Sequence, residues 1–229
     1  MKDLWVISLG GSRIVPNDVD VKFIWDFKKL IDSFPKKKFV VVTGGGSTAR
    51  KYIRAVKDFG MNTKDQSLTG ISVTRFHSEF LARIFGAEAN SPYKIPKNMR
   101  KVKRLLRKNR VVFCGALRWE ADKTSDGTAS EIAGYLRCPF INITNVDGLY
   151  NKNPKKYKNA KKIPKITWKA FDDIAKKIKF HAGQNFVLDQ DAAETILQNK
   201  TPTYIVGNLK DVKKIIEGKN DFGGTKIEG

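Results

Sequence analysis

The sequence predicts an α/β fold, a three-layer α/β/α sandwich with a mainly parallel central sheet. Short apolar segments, such as FVVV at 39–42 and VVFC at 111–114, alternate along the chain with longer amphipathic segments. Apolar runs of this length, bounded by glycine, are typical of strands covered on both faces by helices. The 229 residues contain no internal repeat and no linker composition, so we expect a single domain over 1–229.

The alternation predicts an order of elements. Phe23, Ile24, Phe27, Leu30 and Ile31 recur at helical spacing and define the first amphipathic helix, which follows the strand LWVISL. The same criteria predict strands at 4–9, 39–42, 110–116, 140–145 and 201–207, and helices at 23–34, 48–59, 64–85, 97–110, 125–136 and 187–199.

The chain is strongly basic, with 44 Lys and Arg against 23 Asp and Glu and a formal net charge of +21. Three interpretations compete: nucleic-acid binding, attraction of small polyanions, and a general lysine bias of composition. The densest basic segment is 97–110, where Met99, Val102 and Leu106 recur at helical spacing, so the charges should form a solvated face. No aromatic residue interleaves them, which argues against a nucleic-acid site.

Other features narrow the setting. No apolar run is long enough to cross a bilayer, and the first strand begins too early to leave room for a signal peptide. Cys114 and Cys138 form no CxxC pair, and His77 and His181 have no second ligand at metal-binding spacing. We therefore expect a cytoplasmic protein without a membrane partner or a metal site of its own.

Glycine-rich or turn-rich segments follow four of the predicted strands: SLGGS at 8–12, TGGGS at 43–47, 114–127 and 144–154. In a parallel sheet, ligands bind at the carboxyl ends of strands, where such turns lead into helix N-termini. Backbone N–H groups there can approach phosphate oxygens, and Arg50, one turn into its helix, can add a charge. Neither GxxxxGK[ST] nor GxGxxG occurs, so neither familiar nucleotide motif applies.

Taken together, these segments resemble the amino acid kinase family. SLGGS, VVVTGGGSTARKYI, TGISVTR, TSDGTASEIA, ITNVDGLYNKNPK and AGQNFVLDQDAAETI carry the resemblance, which covers nearly the whole chain and is closest to the UMP kinases of archaeal type. It implies a kinase, usually hexameric, that uses Mg²⁺ and ATP to phosphorylate a nucleoside monophosphate, here UMP to UDP. Such a reaction depends mainly on positioning two polyanions and neutralising their charge.

The resemblance also implies roles for individual residues. Asp126 would act in catalysis. The acceptor would be held by Gly44, Gly45, Arg50, Ser67, Thr124, Ser125 and Asp126, and ATP by Gly10, Gly11, Ser12, Asn145, Asp147, Tyr150, Asn153 and Pro154. Two of these residues also have a purely structural interpretation, since Asp126 could cap its helix and Asp147 could serve a turn.

The chain departs from the family pattern at several positions. Ser8 stands where many members have a lysine, and we expect Arg13 or Lys226 to supply the missing catalytic charge. Ser67 replaces an aspartate of the acceptor site. The remaining departures are His77 in place of an asparagine, Asn153 in place of an aspartate, and a longer loop at 116–123 with Trp119, Glu120 and Asp122.

These departures leave alternatives to UMP phosphorylation. One is a kinase for another small phosphorylated acceptor, since Ser67, His77 and the 116–123 loop all fall around the acceptor. The other is a non-catalytic relative that binds nucleotides or oxyanions, like the molybdenum storage proteins built on this fold. Retention of Arg50 and Asp126 favours the enzyme, whereas the longer loop and the missing lysine favour the binding protein.

Overall fold

A computed structural model of the chain describes residues 3–120, 124–152, 154, 157–177 and 188–229. Within these ranges the strands are β1 Leu4–Leu9, β2 Lys38–Thr43, β3 Val111–Cys114, β4 Phe140–Ile143, β5 Leu149–Tyr150, β6 Lys162–Ile163, β7 Lys165–Ile166, β8 Thr203–Val206 and β9 Thr225–Ile227. The α-helices are α1 Gly11–Ile14, α2 Val21–Asp32, α3 Gly46–Asp58, α4 Thr63–Phe85, α5 Met99–Leu106, α6 Ser125–Leu136, α7 Trp168–Lys177, α8 Gln190–Asn199 and α9 Leu209–Ile216, and two short 3₁₀ turns are Gly86–Glu88 and Pro92–Lys94.

Seven strands form one sheet in the order β3-β2-β1-β4-β8-β9-β7, and β5 pairs with β6 in a separate antiparallel hairpin. All neighbours in the large sheet are parallel except β8 and β9. The chain moves from β1 to β2 and β3 on one side, and later to β4 and β8 on the other. In such sheets a reversal of this kind, here beyond the carboxyl ends of β1 and β4, is the usual position of a ligand-binding crevice.

Helices cover both faces of the sheet because alternate strand residues point to opposite faces and both sets are apolar. Ile7 of β1 lies in one buried cluster with Phe27 of α2 and Leu81 of α4. Val6, the neighbouring residue in β1, lies in a second cluster with Ile132 of α6. The two clusters confirm the three-layer α/β/α sandwich with a mainly parallel central sheet.

Local chemistry explains where the element boundaries differ from the predicted ones. The basic helix predicted at 97–110 is shorter and spans 99–106; it starts after Asn98, whose side chain caps it by accepting the N–H of Lys101 at 2.8 Å. Its Val102 and Leu106 are buried while Lys103 and Arg104 are exposed, which confirms the solvated basic face. The helix predicted from 187 begins at Gln190, after the capping residue Asp189. In the described ranges, no helix is long and apolar enough to span a membrane.

Candidate functional site

Two glycine loops meet at the carboxyl ends of β1 and β2. A methyl group placed on Gly11 would lie 2.2 Å from the backbone N of Gly46 and 2.5 Å from the carbonyl O of Gly44. A methyl group on Gly44 would likewise lie 2.6 Å from the N of Gly11. Gly46 also has a positive φ of 59°, a conformation that side chains disfavour. Only glycine lets these two backbones touch, so SLGGS and TGGGS form a single surface.

The first turn of α3 starts from this surface and is open to an anion. No side chain caps the helix at Gly45, so its first N–H groups have no side-chain partner there. Gly44 is different, because its N–H donates to the carbonyl of Leu9 at 2.9 Å. Arg50, one turn further along α3, is exposed, and its side chain forms no hydrogen bond or ion pair with another described residue. A helix N-terminus and an arginine are groups of the kind that bind phosphate in proteins.

The α4 helix contacts the TGGGS loop from inside the protein. The Nδ1 of His77 lies 2.8 Å from the carbonyl O of Gly44, and His77 is buried. Burial lowers the pKa of His77, while its hydrogen bond to Gly44 raises it, with a net lowering. Thr43 donates its hydroxyl to the carbonyl of Thr74 at 2.7 Å. The residue that replaces the family's asparagine therefore holds the loop from inside the protein.

On the face of β1 that α6 covers, opposite to α4, Asp126 contacts Ser8. The Ser8 hydroxyl donates to Oδ1 of Asp126 at 2.6 Å, although 118 residues separate them in sequence. Asp126 belongs to the first turn of α6 but does not cap it, because the Thr124 side chain accepts the N–H groups of Asp126 and Gly127. The capping role considered for Asp126 is thus wrong, and its carboxylate remains directed at the strand end.

The pKa of Asp126 is raised to about 7, mainly by burial; the hydrogen bond from Ser8 opposes this rise and the nearby charge of Asp189 adds to it. Asp189 accepts a hydrogen bond from the hydroxyl of Thr124, and its Oδ1 accepts the N–H of Ala192 at 2.7 Å. Asp189 had no predicted role. Its signal in the sequence is the pattern DQDAAETI, in which an aspartate precedes an apolar helical run.

A third loop, between β4 and β5, borders the crevice on the opposite side. Asp147 accepts two hydrogen bonds, from the hydroxyl of Tyr150 at 2.7 Å and from Nζ of Lys162 at 2.8 Å. Burial raises the pKa of Asp147, but the bonds from Lys162 and Tyr150 outweigh it and lower the pKa. Gly207 allows close approach here, since a methyl group on it would lie 3.0 Å from Cα of Asp147. Asp147 therefore shapes the loop that contains Asn145.

The two cations expected to replace the missing lysine lie elsewhere. The Arg13 guanidinium stacks over Phe23 of α2, 4.6 Å from the ring centroid. Lys226 forms an ion pair with Glu228 at 2.8 Å and lies 5.9 Å from the ring centroid of Tyr204, its partner across β8 and β9.

The pleat of β1 shows which face of the sheet carries Lys226. The Tyr204 ring contacts Trp5, with 6.2 Å between centroids. Trp5 and Ser8 point to opposite faces of β1, because they are three residues apart in one strand. Lys226 is thus on the face opposite to Asp126, and the structure brings neither Arg13 nor Lys226 to the Ser8–Asp126 pair.

The departures that the resemblance assigns to the acceptor lie on α4 or in the loop that contacts it. Ser67 donates its hydroxyl back to the carbonyl of Thr63 at 2.9 Å within the helix. Arg75 holds the start of the longer loop by donating to the carbonyls of Ala116 at 3.2 Å and Leu117 at 2.9 Å. The ammonium of Lys64 lies over the Trp119 ring, 5.4 Å from the ring centroid. Two residues named from the sequence, Asp122 and Asn153, lie outside the described residues, as does His181.

Comparison with known proteins accords with this arrangement. The model of the amino acid kinase family matches residues 3–207. The uridylate kinase of Thermococcus kodakarensis is 35% identical over 228 residues, which cover 97% of this chain and 98% of the relative. The uridylate kinase of Archaeoglobus fulgidus is 32% identical over 217 residues, covering 93% of this chain and 95% of the relative.

The fold is also similar to solved structures of uridylate kinase and UMP kinase. The crystal structure of uridylate kinase from Archaeoglobus fulgidus superposes with a TM-score of 0.85 at 30% identity and covers 97% of this chain and 99% of that one. UMP kinase from Bacillus anthracis superposes with a TM-score of 0.78 at 19% identity, covering 99% of this chain and 96% of that one, which shows the shared fold alone. With its paired glycine loops, its sheet order and these matches in agreement, the chain belongs to the amino acid kinase family.

Proposed function

We propose that this protein is a nucleoside monophosphate kinase that transfers the γ-phosphoryl group of ATP to UMP and forms UDP. The observation that carries the proposal is the backbone contact between Gly11 and Gly44–Gly46, which puts the SLGGS and TGGGS loops side by side. Phosphoryl transfer needs two polyanions to be held end to end, and two adjacent loops open to phosphate support such a reaction. The relatives at least 30% identical along almost the full chain are named uridylate kinase, which supports UMP as the acceptor.

In this proposal the two loops bind different phosphates. The N-terminus of α3, which Gly45 precedes, holds the acceptor phosphate together with Arg50. Gly44 contributes by its lack of a side chain, because its N–H donates to Leu9. Gly10, Gly11 and Ser12 contact the phosphates of ATP, which the loop bearing Asn145, Asp147, Tyr150 and Pro154 places from the other side. Thr124, Ser125 and Ser67 belong to the acceptor side, as the resemblance implies. Mg²⁺ enters with ATP, because this ion is held in kinases largely by substrate phosphates and one or two carboxylates.

Asp126 is the proposed catalytic residue, and Ser8 sets its position. Its half-buried carboxylate lies against Ser8 near the carboxyl end of β1 and can orient charged groups around the transferred phosphoryl group. The hydrogen bond from Ser8 to one oxygen of that carboxylate restricts its rotation. Positioning of this kind supports phosphoryl transfer without the lysine that many family members carry in place of Ser8.

The first prediction concerns the substrate. We expect the purified protein with Mg-ATP to release ADP with UMP and much more slowly with CMP, AMP or GMP. Nucleotide-dependent ADP release by a coupled assay measures this directly. Stabilisation of the fold by ATP and UMP without turnover on any acceptor would support the alternative, a non-catalytic nucleotide-binding relative. Turnover on a different phosphorylated acceptor would retain the kinase and reject UMP.

The second prediction concerns Arg50. Replacing Arg50 by Ala should raise the KM for UMP by roughly 10- to 100-fold, because a charge-assisted hydrogen bond contributes about 1.5–3 kcal/mol. The KM for ATP should change little. Arg54→Ala is the matched control, since Arg54 is an exposed arginine one turn further along the same helix. Equal effects of the two substitutions would mean that only the general charge of α3 matters.

The third prediction uses the pKa of Asp126, which burial raises to about 7. A carboxylic acid is protonated below its pKa, so kcat should fall on the acid side as pH drops through this region. Removing the Ser8 hydroxyl in Ser8→Ala deletes an interaction that lowers this pKa, so the acid limb should move to higher pH. The kcat measured on the acid limb then falls by up to about tenfold for each pH unit that the limb moves.

A matched control for this pH profile is Ser130→Ala. Ser130 is a buried serine of the same helix whose hydroxyl donates to the carbonyl of Gly127 at 2.8 Å rather than to Asp126. We expect its acid limb to coincide with that of the wild type. An acid limb that stays in place in Ser8→Ala would show that the Ser8–Asp126 hydrogen bond does not control the ionisation that governs kcat.

We further propose a cytoplasmic homo-oligomer, which the family resemblance implies to be a hexamer. Large apolar side chains on α3, on α4 and at their connection are exposed, among them Phe59 at 82% and Phe76 at 60%, with Tyr52 and Leu68 nearby in sequence. Light scattering should give a mass that is a multiple of 25.9 kDa, and Phe76→Lys should lower it. Trp25→Lys, at an exposed aromatic of α2, is the control. A monomer at micromolar concentration would refute the oligomer.

A further inference from the structure

We propose that Lys162 is a positioning residue for the donor nucleotide, holding the 144–150 loop against the 222–224 loop so that both meet ATP in a fixed geometry. This inference rests on the proposed function, since it assigns the 144–150 loop to ATP. In the sequence, nothing distinguishes Lys162 from the other lysines that surround it in NKNPKKYKNAKK. The structure distinguishes it by its contacts.

Lys162 and Tyr150 reach Asp147 from opposite strands of one hairpin. They are directly paired across β5 and β6, and each donates to a different oxygen of the Asp147 carboxylate, at 2.8 Å and 2.7 Å respectively. Both carboxylate oxygens are therefore engaged by donors from the hairpin that follows the loop. These two hydrogen bonds attach the loop between Thr144 and Gly148 to the hairpin that follows it.

Lys162 alone of this pair also reaches a second loop. Its Nζ lies 3.5 Å from the carbonyl O of Gly223. Gly223 is itself fixed, because its N–H donates to Oδ1 of Asp211 at 2.9 Å. Since β9 is antiparallel to β8, the loop that enters β9 lies at the same edge of the sheet as the carboxyl end of β8. The Lys162 ammonium thus joins two loops at the edge where ligands bind.

The far end of the 144–150 loop has an independent anchor. Thr225 accepts the N–H of Leu149 at 2.8 Å and donates its hydroxyl to the carbonyl of Ile163 at 2.6 Å. These bonds hold the hairpin to β9 without Lys162. Removing the Lys162 ammonium should therefore leave the hairpin in place and leave Asp147 bonded to Tyr150. The segment that contains Asn145 would no longer be joined to the 222–224 loop.

The size of the ion pair indicates a role in positioning rather than in stability. The side chains of Lys162 and Asp147 are 33% and 50% exposed, and an ion pair at such a site contributes about 0–1 kcal/mol to folding. A loss of this size cannot unfold a domain with two buried cores. It can change the orientation of a loop that binds a ligand, where small displacements reduce affinity.

The test compares three variants in steady-state kinetics and in direct binding of Mg-ATP by calorimetry. Lys162→Met should raise the KM for ATP by roughly 5- to 20-fold, while kcat at saturating ATP and the KM for UMP stay within about twofold, consistent with loss of about 1–2 kcal/mol of binding. Lys162→Arg should retain most of the ATP affinity, because a guanidinium still donates to Asp147. Lys161→Met is the matched control, an adjacent exposed lysine whose backbone N–H contacts Asn151.

The outcomes separate this inference from the proposed function. If the wild type phosphorylates UMP and Lys162→Met has an unchanged KM for ATP, the positioning role is refuted and the kinase assignment stands. If no acceptor is phosphorylated but Lys162→Met still weakens calorimetric binding of Mg-ATP and Lys161→Met does not, the positioning role stands and the kinase assignment fails. Equal losses in Lys162→Met and Lys161→Met would indicate a general effect of charge and refute the inference. A wild type that binds no Mg-ATP refutes both.

Discussion

The site depends on one backbone contact, the approach of Gly11 to Gly44 and Gly46. A single methyl group on Gly11 would stand 2.2 Å from a backbone nitrogen, a distance that real atoms do not adopt, so the loops can meet only without side chains. The contact joins the carboxyl ends of β1 and β2, which are already paired in parallel. It places the open N-terminus of α3 beside the SLGGS loop, and the proposed transfer between two phosphates follows from that juxtaposition.

Around this contact the two sides of the site are built differently. On the proposed acceptor side, the Arg50 side chain is exposed, while His77 holds Gly44 from the interior. On the side of α6, burial raises the pKa of Asp126 to about 7 and Ser8 opposes that rise. A neutral serine in place of a lysine therefore leaves a carboxylate whose ionisation lies close to neutral pH. Asp126 thus accepts a hydrogen bond from a neutral hydroxyl at this position, where a lysine would form an ion pair.

Much of the fold was predictable because it follows from local pattern. The strand FVVV and the helix 125–136 have the periodicities that strands and helices require, and the glycines mark where strands end. The contacts of Arg13 and Lys226 were not predictable in this way. Both are cations near glycine-rich segments in sequence. In the structure Arg13 lies over the ring of Phe23, and the pleat of β9 places Lys226 on the same face of the sheet as Tyr204.

The sequence by itself determined the α/β class, the order of most elements, the loops able to approach phosphate and the family. It could do so because these properties depend on side-chain periodicity and on glycine at fixed places. Only the tertiary structure showed that Ser8 bonds to Asp126, that Thr124 rather than Asp126 caps α6, and that Lys162 joins two loops. Those contacts join residues from 2 to 118 positions apart, and their geometry depends on how the sheet and helices pack.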